Sequence, residues 1–250
     1  MEKKNFVITK SNVATYAKKI SKFIAQYVKT AGKGGIVMGM SGGIDSAVVS
    51  RLVQEAKVPL TVVLILDREE MFTSGGVEHS RELITKFNMN FRVLTIKNVC
   101  ELMEVGAGEA LCPATRASLR PRLRMTMLYA VAQNNNWLVA GTTNLCERTV
   151  GYFTKFGDGA SDFNPLGMLT KGEVKLLAEY LGVPVDIINK APSAGEFAGQ
   201  TDEGDFGFTY EQLDKFILKG SCGDKKVDAI IVKRQKSNMH KSLEIPMFNE

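Results

Sequence analysis

An apolar run, Gly35-Ile36-Val37-Met38, leads directly into Gly39, Met40, Ser41, Gly42, Gly43, Ile44, Asp45 and Ser46, and Ala47, Val48, Val49 and Leu52 follow at helical spacing. The run reads as a buried strand and the later residues as a helix, so the glycine-containing loop lies at a strand-to-helix turn. Such a junction belongs to a layered α/β chain. It aims free backbone N–H groups and the positive end of a helix dipole at one point above the strand, a place that favours an anion. Gly42 and Gly43 permit close approach of the backbone to a phosphate, and a positive φ where the turn needs one. Ser41 and Ser46 add hydroxyl donors, and Asp45 puts a carboxylate where it can hold a Mg²⁺ bridging phosphate oxygens. No Gly-Lys-Ser/Thr follows the glycines, so this is not a Walker A loop.

The rest of the chain extends the pattern. Strand-like runs at 35–40, 60–66, 91–96 and 137–140 alternate with helical stretches, which predicts a mainly parallel sheet with helices on both faces. Ligands of such sheets lie at the carboxyl ends of the strands, where residues 41–46 and 141–147 would both sit. Residues 11–30 place Val13, Tyr16, Ile20, Phe23, Ile24 and Tyr27 on one face of an amphipathic helix. Residues 111–134 read as one long helix or two, with Pro113 and Pro121 as starts or a break. Further helices are expected near 170–182, 209–219 and 224–237. The 250 residues suit one α/β domain, 1–250.

Composition removes several function classes. Cys100, Cys112, Cys146 and Cys222 are scattered, which argues against a zinc site, a redox pair or a disulfide framework. The formal charge is +5, gathered at Arg116–Arg124 and Lys225–Lys241, and suits a local polyanion better than a nucleic-acid track. No apolar run approaches the roughly 18 residues of a membrane span. The opening Met-Glu-Lys-Lys-Asn-Phe lacks the apolar core of a signal peptide, so a cytoplasmic protein that engages neither membrane nor nucleic acid is expected.

The pattern S-G-G-x-D-S resembles the pyrophosphate-binding loop of the ATP pyrophosphatase superfamily, whose members typically cleave ATP between the α and β phosphates to adenylate a substrate. Farther on stand Gly141-Thr-Thr-Asn-Leu-Cys-Glu147, Gly151-Tyr-Phe-Thr-Lys-Phe-Gly-Asp-Gly159, Asp162 and Leu169-Thr-Lys171. Pro192-Ser-Ala, Gln200-Thr-Asp-Glu203 and Met239-His-Lys241 follow in order. Together these segments resemble ammonia-dependent NAD synthetase over almost the whole chain. The resemblance implies a Rossmann-like sheet of the adenine nucleotide alpha hydrolase type. It also implies conversion of deamido-NAD, ATP and ammonia to NAD, AMP and pyrophosphate through an acyl adenylate, the last step of NAD biosynthesis.

Site residues follow from the same resemblance. Loop 39–46 would cradle the β and γ phosphates, with Ser41 counted among the catalytic residues. Asp45 and Glu147 would hold Mg²⁺, while Thr142, Lys171 and Ser193 would contact ATP, and Lys171 would stabilise transition-state charge. Lys155, Asp158 and Asp162 match the deamido-NAD side, where Asp158 could bind ammonium and accept its proton. Arg122 falls on an arginine that contacts deamido-NAD. Its segment usually reads N-x-K-A-R-x-R; here Ser118, Arg120 and Pro121 replace Asn, Lys and Ala, and the arginines keep the positive field. His240 and Lys241 match a C-terminal pair on the dinucleotide. Tyr129 and Tyr152 either stack on a ligand ring or pack in the core. Residues 192–208 read as a lid over ATP.

The resemblance further implies a homodimer, to which the N-terminal helix either contributes or merely packs on its own sheet. About 35 residues precede the first strand, too few for a glutamine amidase domain, so direct use of ammonia is expected. Two rivals stand beside this reading. One is a tRNA-modifying or other adenylating enzyme with the same loop; the other is a catalytically silent ATP- or dinucleotide-binding regulatory homologue.

Overall fold

The structure, a computed structural model, describes residues 6–67, 75–108, 111–193 and 200–248. Its sheet has four strands, β1 (Ile36–Gly39), β2 (Leu60–Leu66), β3 (Phe91–Thr95) and β4 (Leu138–Val139), in the order β3-β2-β1-β4. All three pairings are parallel, and Ile36 stands in register with Leu60 on one side and Leu138 on the other. Ile36, Val37 and Met38 are wholly buried, as expected of a central parallel strand covered on both faces. The chain steps outward from β1 to β2 and β3, then returns to place β4 on the far side of β1. That reversal puts the switch point between β1 and β4 and opens a crevice at their carboxyl ends. The strand positions and the parallel arrangement match the expectation from sequence.

Helices α1 (Val13–Thr30), α2 (Ile44–Glu55), α3 (Gly75–Lys86) and α7 (Lys171–Tyr180) close over one face, around Ile24, Met38, Val48, Leu52 and Leu177. Helices α4 (Lys97–Gly106) and α5 (Pro113–Asn134) cover the other, around Val37, Val63, Met125, Leu128 and Val139. The remaining helices are α6 (Leu145–Val150), α8 (Val185–Asn189), α9 (Asp202–Phe206), α10 (Tyr210–Lys219) and α11 (Lys225–Asn238). A third apolar cluster, with Val150, Phe206, Tyr210, Leu213 and Ile231, binds α6, α9, α10 and α11 together beside the crevice. Among the described residues no helix is long and apolar enough to cross a membrane.

The alternative left open for residues 111–134 is resolved. Helix α5 starts at Pro113 and runs on with Pro121 inside it, one helix and not two. The loop at Gly157 rests directly on that proline: a Cβ at Gly157 would stand 3.0 Å from Pro121 Cβ and 3.1 Å from the Arg122 nitrogen. Helix α1 buries Ala17, Ser21, Ile24 and Val28 in its own core. Phe23 and Tyr27 remain 47 % and 37 % exposed at the edge of the packing, where both rings meet Phe163 and the Tyr27 hydroxyl donates to the Asp162 carbonyl at 2.9 Å. Of the segment read as a lid, residues 194–199 lie outside the described residues, and its later part forms α9.

Candidate active site

Loop 40–43 leaves β1 and turns sharply into α2. Gly42 has φ +73°, and a Cβ there would lie 2.0 Å from the carbonyl oxygen of Gly76, so both the turn and the approach of α3 require glycine. The loop hydroxyls hold its shape: Ser46 Oγ donates to the Gly43 carbonyl at 3.0 Å, and Ser41 Oγ lies 3.1 Å from Ser46 Oγ. Gly43 is the N-cap of α2 and supplies no side-chain cap, so the first N–H groups of this helix are left for a ligand or solvent to meet. Ser41 is exposed at its mouth.

From the β4 side comes Asn144, a residue the sequence reading passed over. As N-cap of α6 it closes a capping box: its Oδ1 accepts from Glu147 N at 3.0 Å, and its own N–H donates to Glu147 Oε2 at 2.9 Å. Its Nδ2 crosses the crevice and donates to Asp45 Oδ1 at 3.0 Å. One side chain thereby ties the two expected metal ligands together. Lys171 completes the group, its Nζ lying 2.6 Å from Asp45 Oδ2 and 4.0 Å from Glu147 Oε1. Burial, with Asp45 close by, raises the Glu147 carboxyl above the usual carboxylate range, against the opposing pull of Lys171. Burial by itself would lower the Lys171 ammonium, but Asp45 and Glu147 outweigh it and hold the lysine charged.

Lys171 is also fixed from behind. Its backbone N–H and that of Gly172 donate to Asp214 Oδ1 and Oδ2 at 3.2 and 2.8 Å, and the Cys146 thiol donates to Asp214 Oδ1 at 2.9 Å. The ring of Tyr210 lies 5.0 Å from Nζ, a cation–π contact, and the Tyr210 hydroxyl donates to Asp202 Oδ2 at 2.8 Å. Asn144 was findable from sequence, because Asn-x-x-Glu ahead of a helix is a capping pattern. Asp214 was not, being 43 residues from its partner on another helix.

Asp45 and Glu147 suit Mg²⁺ by donor chemistry: both are hard oxygen ligands, and both face one lysine. Among the described residues no cluster of three or more His, Cys, Asp or Glu could hold a metal. A pair of carboxylates is the protein share of a Mg²⁺ site whose other ligands are water and phosphate oxygens. Thr142 is half-buried just beyond β4, and Ser193 is exposed.

The residues assigned to the second substrate gather along α5, the 151–162 loop and the C-terminus. Asp162 receives the Val139 N–H on Oδ2 at 2.7 Å and the Tyr129 hydroxyl on Oδ1 at 3.3 Å. Burial and this carboxylate raise Tyr129 to about 12. Tyr129 also lines a cavity of about 430 Å³ with Met125, Thr126, Ala130, Gln133, Phe156 and Ala160. Asp158 Oδ1 accepts the Thr154 N–H at 2.9 Å. Lys241 Nζ donates to the carbonyls of Gly151 and Phe153 at 2.8 and 3.0 Å, and Lys155 Nζ to that of His240 at 3.0 Å, while the His240 ring is exposed. Tyr152 packs edge-on against Phe206, ring centroids 4.8 Å apart, with its hydroxyl on Asp205.

The basic stretch departs from its sequence expectation. Arg120 and Arg124 both turn onto buried Asp67, at 3.6 and 2.5 Å, and Arg116 pairs with Glu104 at 3.2 Å. Asp67 and Glu104 together thus offset half of the positive charge that these arginines bring. Arg122 alone of this set stays exposed with no carboxylate partner shown, braced by Ser118 Oγ at 3.2 Å and the Lys155 carbonyl at 3.3 Å. The unusual Ser118 thus has a place, as a prop for Arg122.

The NAD synthase family model matches residues 16–246. The chain belongs to the NAD synthase family. It is 38 % identical over 236 residues to the NH(3)-dependent NAD(+) synthetase of Carboxydothermus hydrogenoformans, covering 92 % of this chain and 96 % of that one. Among solved structures, the NMN synthetase of Francisella tularensis superposes with a TM-score of 0.90 at 34 % identity, over 98 % of this chain and all of that one. The NH3-dependent NAD synthetase of Campylobacter jejuni, solved with a nitrate ion, gives a TM-score of 0.78 at 28 % identity over 95 % and 99 %. Within the family the crevice described here falls on the segments 39–46, 141–147 and 171 that sequence alone had singled out.

Proposed function

We propose that this chain amidates deamido-NAD with ammonia at the expense of ATP, giving NAD, AMP and pyrophosphate through an acyl adenylate. The carrying observation is the Asp45–Asn144–Glu147–Lys171 group, assembled where β1 and β4 end. Adenylation requires that a carboxylate attack the α-phosphorus in line while the departing pyrophosphate is neutralised. The open N–H groups of α2 and the buried Lys171 supply fixed positive potential on the leaving side, and Ser41 adds a donor at the mouth. Asp45 and Glu147 would hold Mg²⁺, which when bound would offset phosphate charge. In the second step ammonia attacks the activated carbonyl and AMP leaves. Asp158 is the candidate to take the proton of ammonium, beside Arg122, Lys155, Asp162, Tyr129, Tyr152, His240 and Lys241 on the acceptor side. Thr142 and Ser193 flank the nucleotide, with residues 192–208 as its cover. A cytoplasmic homodimer using free ammonia, with residues 1–250 as one synthetase domain, completes the proposal.

One observation favours a second reading of the acceptor. The chain superposes better on the NMN synthetase than on the Campylobacter NAD synthetase. The acid precursor of NMN, a nicotinate mononucleotide, is therefore the rival acceptor in the same chemistry. Purified protein with Mg-ATP is offered deamido-NAD or the mononucleotide, with ammonium or glutamine, and NAD, NMN and AMP are quantified. NAD equimolar with AMP on ammonium alone is the expected result. NMN formed at the higher kcat/KM selects the second reading, and AMP in neither case restores the regulatory homologue.

A further inference from the structure

The two carboxylates suited to a divalent cation already hold one positive charge between them. Asp45 Oδ2 binds the Lys171 ammonium at 2.6 Å, and Glu147 Oε1 faces the same nitrogen at 4.0 Å. Their other oxygens, Asp45 Oδ1 and Glu147 Oε2, accept from Asn144. Lys171 is 3 % exposed, so its charge has no direct access to bulk water. A free cation entering here must push the ammonium off Asp45 and leave it buried beside a divalent charge, an arrangement that costs heavily. A cation arriving with a nucleoside triphosphate brings phosphate oxygens that can receive the ammonium.

We propose that Lys171 is a place-holder for the divalent cation: it closes the Asp45–Glu147 site to the free ion and yields it only when a triphosphate takes over the ammonium. This rests on the reading of the crevice as an ATP site. The surroundings of the ammonium are aromatic and acidic beyond Asp45 and Glu147 as well. The Tyr210 ring lies 5.0 Å from Nζ, and Asp202, 4 % exposed, holds Oδ1 with no hydrogen-bond partner in the same pocket. Leaving Asp45 therefore does not strand the ammonium among apolar groups. The consequence is a coupled entry of cation and nucleotide, which keeps an idle adenylation centre free of metal.

Manganese ion is the probe, its free fraction counted by electron paramagnetic resonance during titration of the full chain. In the wild type, Mn²⁺ alone is expected to bind at least tenfold more weakly than Mn²⁺ with α,β-methylene ATP. Lys171→Met should bind Mn²⁺ alone at least tenfold more tightly than the wild type, Lys171→Arg should not, and Asp45→Asn should remove the site in both. The proposal is overturned if the wild type binds Mn²⁺ as tightly without the analogue as with it, at a site that Asp45→Asn removes. A folded Lys171→Met with unimproved affinity for bare Mn²⁺ overturns it too. The wild-type comparison judges it even where the variant does not fold. Failure of the analogue to bind at all counts against the ATP reading, while bare Mn²⁺ still compares the wild type with Lys171→Met.

Discussion

Lysines mark two regions of this molecule, and their partners set the regions apart. In the crevice, Lys171 meets carboxylates from two other segments, Asp45 and Glu147. In the clasp between the 151–159 loop and the C-terminus, Lys155 and Lys241 give their ammonium groups to backbone carbonyls of His240, Gly151 and Phe153. A carboxylate can be exchanged for a phosphate oxygen without disturbing the fold, so the first arrangement is poised for a ligand. A carbonyl fixed in a turn is a structural acceptor, and burial already lowers the Lys241 ammonium below its ordinary range, against the opposing pull of Asp158. Equal charges thus divide into a lysine held by exchangeable carboxylates and two whose ammonium groups brace the loop carrying Asp158.

The sharpest break of that comparison is Lys171→Met against Lys241→Met. Loss of the crevice lysine is expected to lower AMP formation by about 10²–10³-fold, the size of one lost transition-state donor. Lys241→Met should leave that rate within about tenfold, since it removes no such donor. An equal loss from the clasp variant, at unchanged melting temperature, would erase the distinction. Next in size is Asn144. Its replacement by Ala should cost ~2 kcal/mol in urea denaturation, from a lost N-cap and a broken bond to Asp45. Asn144→Asp keeps an acceptor for Glu147 N but faces Asp45 with like charge. It should therefore keep the helix cap, lose the stability carried by the bond to Asp45, and form AMP slowly; normal turnover by this variant would demote Asn144 to a helix cap.

Lys241→Met carries the third effect, a stability loss of about 1.5–3 kcal/mol expected for charged hydrogen bonds to backbone. Urea unfolding reads it, and an unchanged midpoint would show the clasp to be idle. The smallest effect is a pH dependence. Tyr129 is raised to about 12 from 10.0 by burial and Asp162, so between those values the unfolded chain gives up this proton before the folded one. The folded state then binds more protons, and its stability falls as pH rises through that window. Tyr129→Phe should remove this part of the alkaline loss; an identical alkaline profile would place the hydroxyl outside the packed acceptor side.

Much of this was legible in the chain. The four strand runs, their parallel order and the loop at Gly39–Ser46 followed from apolar runs and glycine spacing, because those patterns reflect local backbone geometry. Pro113 and Pro121 left one helix or two open, and α5 continues through Pro121. The basic run was legible in its charges but not in their partners, since Asp67 takes Arg120 and Arg124, and nothing near residue 120 announces a carboxylate at 67. Tyr152 could be read as ligand or core, and it packs on Phe206.

What the sequence by itself determined is the α/β class, the anion-binding turn and the ordered segments that place the chain in its family. What only the tertiary structure decided is which charges meet. Lys171 and Asp45 stand 126 residues apart, and Asn144 and Asp45 stand 99 apart. They touch because β1 and β4 are neighbours at the sheet's switch point. Periodicity reports the hydrogen bonding of a segment with itself, whereas the partner of a buried charge is set by the packing of distant elements around a shared low-dielectric space.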